Sequence, residues 1–220
     1  EKCLIVEAKH EFLKAPELLK AVEPLIAELQ LKPGYHWEVG GEMESQAETM
    51  GKLMRWLPFC VFGILVLLIW QFNSFRKPII IFMTIPLAFT GAFFGLAAMR
   101  APFDFFAMLG LLSLAGVIIN NGIVLLDKID SEMRQGTDPY SAVMAAAVSR
   151  FRPILMTTVT TVLGVMPLIL SKDPLFYAMA IILASGLIFG SMLTLGVVPV
   201  LYSLLFRVKG PGKASQLSVN

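Results

Sequence analysis

The sequence predicts an all-α membrane domain of five transmembrane helices, preceded by the end of a soluble α+β domain. Of its 220 residues, 56% are hydrophobic and 15% are charged, against about 25% charged residues in a typical soluble domain. The charges are unevenly placed, because residues 1–55 hold ten acidic and seven basic side chains. Residues 56–126 hold only four charged side chains, namely Arg76, Lys77, Arg100 and Asp104. This change of composition near residue 55 predicts a domain boundary.

Five long apolar runs predict the five spans. A helix needs about 20 apolar residues to cross the hydrocarbon core of a bilayer. Backbone polar groups in lipid need partners within the protein, so the spans are expected to be helices. The last run is too short for two spans and a turn, and it predicts one long helix with an end that projects from the lipid. The predicted spans are residues 56–75, 78–99, 105–127, 153–171 and 174–206.

Residues 1–41 are interpreted as the end of the soluble domain. The run CLIVEA predicts a strand, residues 15–29 carry apolar side chains at helical spacing, and YHWEV alternates like a strand after a Pro-Gly turn signal. About forty residues cannot build a stable core alone, so we expect the remainder of this domain in a longer chain. Residues 42–55 are polar and predict a helical lead-in to the first span.

The connector between the third and fourth spans contains a predicted helix start. Asp138 can cap this helix and Pro139 suits its first position. Small apolar residues follow, so residues 139–150 are predicted to form a separate interfacial helix on the inner membrane face. Residues 207–220 are predicted to form a solvated basic tail in the cytoplasm.

Basic residues in the connectors predict the orientation of the spans. Connectors alternate between the two sides of the membrane, and the cytoplasmic side carries the excess of Lys and Arg. We therefore expect the N-terminal part outside the cytoplasm, which in a bacterium is the periplasm, and the C-terminus in the cytoplasm. One side receives Arg76, Lys77, Lys128, Arg134, Arg150, Arg152, Arg207, Lys209 and Lys213, and the other receives Lys52, Arg55, Arg100 and Lys172.

Two glycine pairs predict close packing between spans. Gly91 and Gly95 are four residues apart, as are Gly186 and Gly190. Small residues at this spacing let the backbones of two helices approach closely. The motif is frequent in membrane spans, so it predicts packing without identifying the partner helix.

Polar residues inside two of the spans predict a functional seam. Ser113, Asn120 and Asp127 recur every seven residues, and Asn121 makes the amide a pair. Arg150, Ile154, Thr157 and Thr161 share one face of the next span. Polar groups in lipid are costly, so they usually face a protein interior or a water path and often mark ion or substrate routes. If both faces turn toward a common interior, the seam is expected to help carry protons in a transporter.

Each of these residues also has a structural interpretation. The asparagines can hydrogen-bond between helices, Arg150 and Arg152 can anchor the inner face, and the threonines can bond to their own helix. The two cysteines, Cys3 and Cys60, provide neither a disulfide framework nor a metal-binding spacing. No catalytic triad, carboxylate pair or phosphate-binding loop stands out, and we do not expect an enzyme, a metal site or a nucleic-acid partner.

Three stretches resemble the inner-membrane multidrug efflux pumps of the resistance–nodulation–division (RND) superfamily, of the acriflavine-resistance type. They are FNSFRKPIIIFMTIPLAFTGAFFGL, GLLSLAGVIINNGIVLLD and SRFRPILMTTVTTVLGVMPLIL. The resemblance covers almost the whole chain. It implies that residues 1–41 are the C-terminal end of a periplasmic porter subdomain, and that the spans are the last five of twelve, so that the chain is a C-terminal fragment of such a pump.

The resemblance also implies a function and partners. Such a pump is a homotrimer in the bacterial inner membrane, where it exports drugs or other small amphiphilic compounds by proton antiport. It works with a periplasmic adaptor and an outer-membrane channel, and its energy source is the proton gradient rather than a cofactor. The bilayer and the rest of its own longer chain are further expected partners.

The motif match implies three proton-relay residues: Asn120, Arg150 and Thr157. Asn120 departs from the family pattern, because the best-known pumps have a lysine there and a neutral amide cannot titrate. Ser113, Asn121 and Thr161 are expected to support the polar seam. The aspartates of the family's fourth helix are not in this chain, so it cannot carry a proton alone.

Two other functions fit the same residues. A protein-export or membrane-assembly factor built on the same twelve-helix plan would handle polypeptides instead of small molecules. A non-transporting membrane remnant would use the polar residues only to hold helices together.

Overall fold

The computed structural model describes residues 15–28 and 40–208. The two predicted strands and the tail beyond residue 208 lie outside the described residues. The described part of the chain is helical, and it divides into two compact units, one up to Cys60 and one from Val61 onward. The helices are α1 Ala15–Glu28, α2 Glu42–Phe72, α3 Arg76–Met99, α4 Phe105–Arg134, α5 Pro139–Ser171 and α6 Tyr177–Leu205.

Five of the helices, α2 to α6, are long and apolar enough to cross a membrane. The predicted five-span membrane domain is therefore confirmed. Its helices extend beyond the predicted apolar runs at several ends, because polar residues continue the hydrogen-bonded helix outside the apolar part. The polar lead-in continues directly into the first span as α2, and α4 runs on to Arg134.

Aspartates cap the starts of two of these helices, and a third aspartate stabilises the turn before another. Asp104 Oδ1 accepts a hydrogen bond from the backbone N–H of Ala107 at 2.9 Å, at the start of α4. Asp138 caps α5, with Pro139 in its first turn, as predicted. Asp173 accepts bonds from two backbone N–H groups just before α6, so the run from residue 174 begins as a turn and the helix only at Tyr177. Each cap satisfies donors that the first turn of a helix leaves unpaired.

The connector helix and the fourth span form one helix, which corrects the prediction of a separate interfacial helix over residues 139–150. Helix α5 is continuous over 33 residues, a length of about 50 Å at 1.5 Å per residue. Pro153 lies inside it. A proline removes only one backbone donor and is tolerated in membrane helices whose neighbours compensate. With no glycine between residues 139 and 153, nothing else ends the helix there.

Helix α6 is the centre of the second unit, because it packs against α3, α4 and α5. Its contacts with α3 and α4 are close at the four glycines that the sequence singles out. A Cβ atom at Gly190 would lie 2.6 Å from Ile118 Cδ1 and 2.9 Å from Ala88 Cβ. Gly91 meets Phe189 and Gly186 meets Leu114 in the same way. The predicted close packing is confirmed, and its partners are α3 and α4.

Two apolar clusters fill opposite ends of this helix packing. The first, called here the Ile81 cluster, comprises Leu68, Phe72, Ile80, Ile81, Leu125, Leu126, Ile129, Val143, Ala146, Val198 and Tyr202. The second, the Ala92 cluster, comprises Ala88, Ala92, Leu96, Ala107, Leu114, Ile118, Ala178, Ile181, Ile182 and Leu187. Helices α3, α4 and α6 contribute to both, so each of them has an apolar contact near either end.

A nearly buried ion pair joins the first turn of α3 to the end of α4. Lys77 Nζ lies 2.7 Å and 2.6 Å from the two carboxylate oxygens of Asp130. The two side chains are only 12% and 14% exposed. The same ammonium lies 5.6 Å from the centre of the Phe72 ring on α2. Both charges are largely removed from water, so each depends on the other.

We predict that Gly190→Ala destabilises the protein by about 1–3 kcal/mol, because the added methyl group overpacks the contact with Ala88 and Ile118. Gly196→Ala is the matched control in the same helix, since a Cβ at Gly196 would meet nothing within 4 Å. The thermal midpoint of the detergent-solubilised protein measures both changes. A Gly190→Ala protein as stable as Gly196→Ala would contradict the packing.

We also predict that Lys77→Met lowers the stability by about 3–5 kcal/mol, because it leaves the Asp130 carboxylate buried without its partner. The double variant Lys77→Met/Asp130→Leu should recover most of that loss. Lys128→Met is the control, because its ion pair with Glu132 is one turn apart on the same helix and is worth about 0.3–0.5 kcal/mol. Equal losses in Lys77→Met and Lys128→Met would refute the prediction.

Candidate functional site

The predicted site residues of α4 lie on the outside of the second unit. Ser113, Asn120 and Asp127 are all exposed, and they follow one another at every second turn of the helix. This stripe is opposite the side of α4 that packs on α6 through Leu114 and Ile118. Together with the α5 residues below, it is called here the α4–α5 polar face.

The α5 part of this face comprises Arg150, Thr157 and Thr161. Thr157 is exposed, whereas Arg150 and Thr161 are half-buried. Thr157 donates its hydroxyl proton to the Ile154 carbonyl at 2.9 Å, and Thr161 donates to the Thr157 carbonyl at 2.8 Å. The hydroxyl oxygens still have lone pairs that can accept a hydrogen bond from water or a neighbouring group.

Two contacts set the register of α4 and α5 against α6. Gly190 packs against Ile118 of α4, which runs parallel to α6. Ser191 Oγ lies 2.8 Å from Thr158 Oγ1 of α5, which runs antiparallel. Counting along the helices at 1.5 Å per residue then gives the level of every neighbouring residue.

This register brings the candidate residues to two levels. Asn120 lies level with Thr157, and Asp127 lies level with Arg150, about 10 Å further along the helices. Arg150 Nε is buried and has no hydrogen-bond partner. In the part of the chain that the structure describes, no hydrogen bond or ion pair joins Asn120, Arg150 and Thr157 to one another. The fold therefore places these residues on matching levels of α4 and α5, but they make no hydrogen bond or ion pair with one another.

The asparagine pair is divided between the two sides of α4. Asn120 is exposed, whereas Asn121 is 9% exposed and turns inward. Consecutive residues of a helix point about 100° apart, so the two amides cannot share one face. The predicted seam therefore does not face an interior of this unit. Helix α6, with its small residues, fills the space between the inward sides of α4 and α5.

The α4–α5 polar face combines the guanidinium of Arg150 and the carboxylate of Asp127 at one level with neutral hydrogen-bonding groups at the other. Residues 105–126 and 153–171 contain no Asp or Glu. Arg150 can attract an anionic group and stabilise its ionised form. The amide and hydroxyl groups can orient water. Because Asp127 lies at the other level, a group that gains and loses a proton beside Asn120 and Thr157 must come from another segment.

The sequence alone does not single out several buried polar residues of the membrane domain. Ser191 and Thr194 of α6 are each 1% exposed, and Thr84 of α3 is 2% exposed. In the sequence, each of them is a hydroxyl residue within an otherwise apolar run. Such a residue often only bonds to the backbone of its own helix, so the pattern does not indicate a buried polar contact. The Lys77–Asp130 pair was likewise missed, although opposite charges at the ends of consecutive antiparallel spans suggest such a contact.

Comparison with known proteins places the chain in one family. The sequence model of the AcrB/AcrD/AcrF family matches residues 6–206. The chain is 31% identical over 195 residues to the cobalt-zinc-cadmium resistance protein CzcA of Cupriavidus metallidurans, covering 87% of this chain and 18% of that protein. It is 28% identical over 194 residues to the multidrug resistance protein MdtC of Salmonella paratyphi B, covering 86% of this chain and 19% of that protein.

A solved structure agrees with the sequence comparisons. The chain superposes on a crystal structure of a heavy metal efflux pump with a TM-score of 0.68 at 26% identity, covering 90% of this chain and 20% of that one. The chain thus spans about a fifth of the length of the relatives it matches. The family match extends over more than nine-tenths of its 220 residues and agrees with the motifs in the spans, so this multi-pass membrane chain belongs to the AcrB/AcrD/AcrF family of the RND superfamily.

Proposed function

We propose that the chain is part of a proton-driven efflux transporter that exports drugs or other small amphiphilic compounds by proton antiport. The observation that carries this proposal is the α4–α5 polar face, which places Asn120 and Thr157 on the outside of the helix packing and Arg150, half-buried, further along it. The proposed location is the inner membrane of a bacterium, with the N-terminal part in the periplasm and the C-terminus in the cytoplasm.

The exposure of this face calls for a partner. Amide and guanidinium groups are costly to place in lipid, and such residues usually face a protein interior or water. The chain spans about a fifth of its relatives, so further spans of the same protein are the natural cover. The RND resemblance gives those spans carboxylates, which this face lacks at the level of Asn120 and Thr157. A carboxylate opposite Arg150 would complete a proton site.

The three relay residues have distinct proposed roles. The positive charge of Arg150 favours the ionised form of a facing carboxylate, so that protonation of the carboxylate weakens their attraction. Asn120 and Thr157 lie level with each other and supply donors and acceptors that order water between them. Asn120 does not titrate, so it positions the relay instead of exchanging a proton. Ser113 and Thr161 have supporting roles, whereas Asn121 turns inward and does not lie on this face.

The names of the relatives indicate two different kinds of substrate, so a second candidate substrate has to be considered. MdtC is a multidrug resistance protein, whereas CzcA is a cobalt-zinc-cadmium resistance protein and NccA of Alcaligenes xylosoxydans xylosoxydans is a nickel-cobalt-cadmium resistance protein. Export of divalent metal cations is therefore the alternative to export of amphiphiles. The family resemblance further supports a homotrimer that works with a periplasmic adaptor and an outer-membrane channel.

We predict that Arg150→Ala abolishes efflux while the amount of protein in the membrane stays normal, because the fixed charge of the relay is lost. The protein is expressed from its native gene in a bacterium without its own pumps, with ethidium accumulation and cadmium tolerance as the two readouts. Arg152→Ala is the matched control, since Arg152 is exposed two residues further along the same helix. Thr157→Val should reduce efflux strongly, and Thr160→Val should not.

The readouts also separate the candidate functions. Lower ethidium accumulation supports the export of amphiphiles, whereas higher cadmium tolerance alone supports the export of metals. If the unaltered protein changes neither, the transport proposal is wrong and the export-factor or remnant alternatives replace it. If Arg150→Ala retains efflux, the relay assignment is wrong, and a fall in protein abundance alone indicates a structural role for this arginine.

A further inference from the structure

A layer of polar side chains crosses the buried interior of the membrane domain. In the part of the chain that the structure describes, five polar residues are at least nine-tenths buried. All five lie in the membrane helices, and none of them is charged. They are Thr84 of α3, Asn121 of α4, Thr158 of α5, and Ser191 and Thr194 of α6.

This layer separates the two apolar clusters. On α4, the Ala92 cluster ends at Ile118 and the next fully buried member of the Ile81 cluster is Leu125, with Asn121 between them. On α6, the corresponding residues are Leu187 and Val198, with the two hydroxyls between them. The interior is therefore apolar at both ends and polar in the middle, where an unpaired polar group is most costly.

The helix register brings the α4, α5 and α6 members of the layer together. Ile118 lies level with Gly190, so Asn121, three residues later, lies within one residue of the level of Thr194. The hydrogen bond between Ser191 and Thr158 attaches α5 to the same region. The four residues thus occupy about one helical turn at the junction of three helices.

The hydroxyl groups of Thr158 and Ser191 each already donate their one hydrogen bond. Thr158 Oγ1 lies 2.9 Å from the Ile154 carbonyl, which can only accept, so the threonine donates to it. A hydroxyl has one proton to donate. In the 2.8 Å contact between the two hydroxyls, Ser191 must therefore be the donor. The Ser191 oxygen can then still accept a hydrogen bond, but its one proton is already engaged.

Two other polar atoms of the junction have no partner. Asn121 Nδ2 and Thr194 Oγ1 are buried and make no hydrogen bond. Their residues are 9% and 1% exposed. A buried polar group without a hydrogen bond is rare in folded proteins and calls for an explanation such as an ordered water or ligand. Here an unpaired donor on α4 lies at the level of hydroxyl oxygens on α6 that can accept a hydrogen bond.

We propose that this junction is an internal hydration site, in which one ordered water links Asn121 Nδ2 to Thr194 Oγ1. The amide donates to the water oxygen, and the water donates to the hydroxyl oxygens of Thr194 and Ser191. Three hydrogen bonds are typical of a buried water. The site lies on the inward side of α4, about 100° around the helix from Asn120, and does not depend on the proposed transport function.

The chemistry of the junction favours water over an ion. None of the four side chains carries a charge, so none would compensate the charge of a buried cation. An anion would find only neutral donors at a depth where an uncompensated charge is very costly. A small neutral molecule that both donates and accepts matches the unpaired groups.

The first test is a double-mutant cycle on the protein expressed from its native gene and solubilised in detergent. Asn121→Leu and Thr194→Val each remove one partner of the water, so each should lower the thermal midpoint, by about 2–4 °C. The double variant should lower it no further than one single variant, because both partners of the water are then apolar. If each single variant raises the midpoint and the two rises add, the groups are unhydrated and the proposal is overturned.

Thr84→Val is the matched control. Thr84 is buried in the same layer, but its hydroxyl already donates to the Ile81 carbonyl of its own helix at 2.6 Å. The change that Thr84→Val causes in the thermal midpoint should therefore add to the change caused by Asn121→Leu. A non-additive effect as large as that of the Thr194 pair would overturn the specific link between Asn121 and Thr194.

The second test separates a bridging water from a direct contact. A structure of the unaltered protein at a resolution that shows ordered waters should contain a density peak within hydrogen-bond distance of both Asn121 Nδ2 and Thr194 Oγ1. In the Thr194→Val protein this peak should be lost or weakened. The proposal fails if the two side-chain atoms bond directly to each other with no peak between them.

Discussion

The close approach of α6 to α3 and α4 is the contact on which the rest of the membrane domain depends. Gly91, Gly95, Gly186 and Gly190 bring the helices so near that a single added carbon atom would collide with a neighbour. This contact places α6 at the centre and sets which side of α4 and α5 turns inward. It therefore also decides which polar side chains are buried and which remain on the outside. Packing at four small residues determines where the chemistry of the two polar spans can occur.

The polar groups of the membrane domain divide into two sets with different needs. The inner set, at the junction of α4, α5 and α6, is neutral and shielded, and most of its hydrogen bonds are made within or between these helices. The outer set, the α4–α5 polar face, contains Arg150, and among the described residues its hydrogen bonds are those of the two threonines to carbonyls of α5. A charge and an amide exposed at membrane depth are stable only against protein or water. The division suggests a domain that is stable in its own interior and incomplete on one side, as expected of one part of a longer transporter.

The sequence was sufficient to predict the five spans, the Asp138 cap and the glycine contacts, because each depends on local composition or on short spacings. It was not sufficient to predict that α5 is continuous, since a proline ends some helices and is tolerated in others according to its neighbours. The residues of the candidate site were found by their polarity and by the RND motif. Whether each side chain points inward or outward could not be predicted. Asn120 and Asn121 differ only in their angle to α6, and that angle follows from tertiary packing. The Lys77–Asp130 pair was missed for the same reason.

The central claim is that further spans of the same protein cover the α4–α5 polar face. Spin labelling at Asn120→Cys, in a protein without its native cysteines, tests this claim directly through the collision rate of the label with oxygen dissolved in the lipid. Met156→Cys provides the lipid-facing reference, because Met156 is 61% exposed on α5 at nearly the same level. The label at residue 120 is expected to collide with oxygen much less often than the label at residue 156. Equal collision rates would mean that the face contacts lipid, which would contradict both the missing spans and the proton relay.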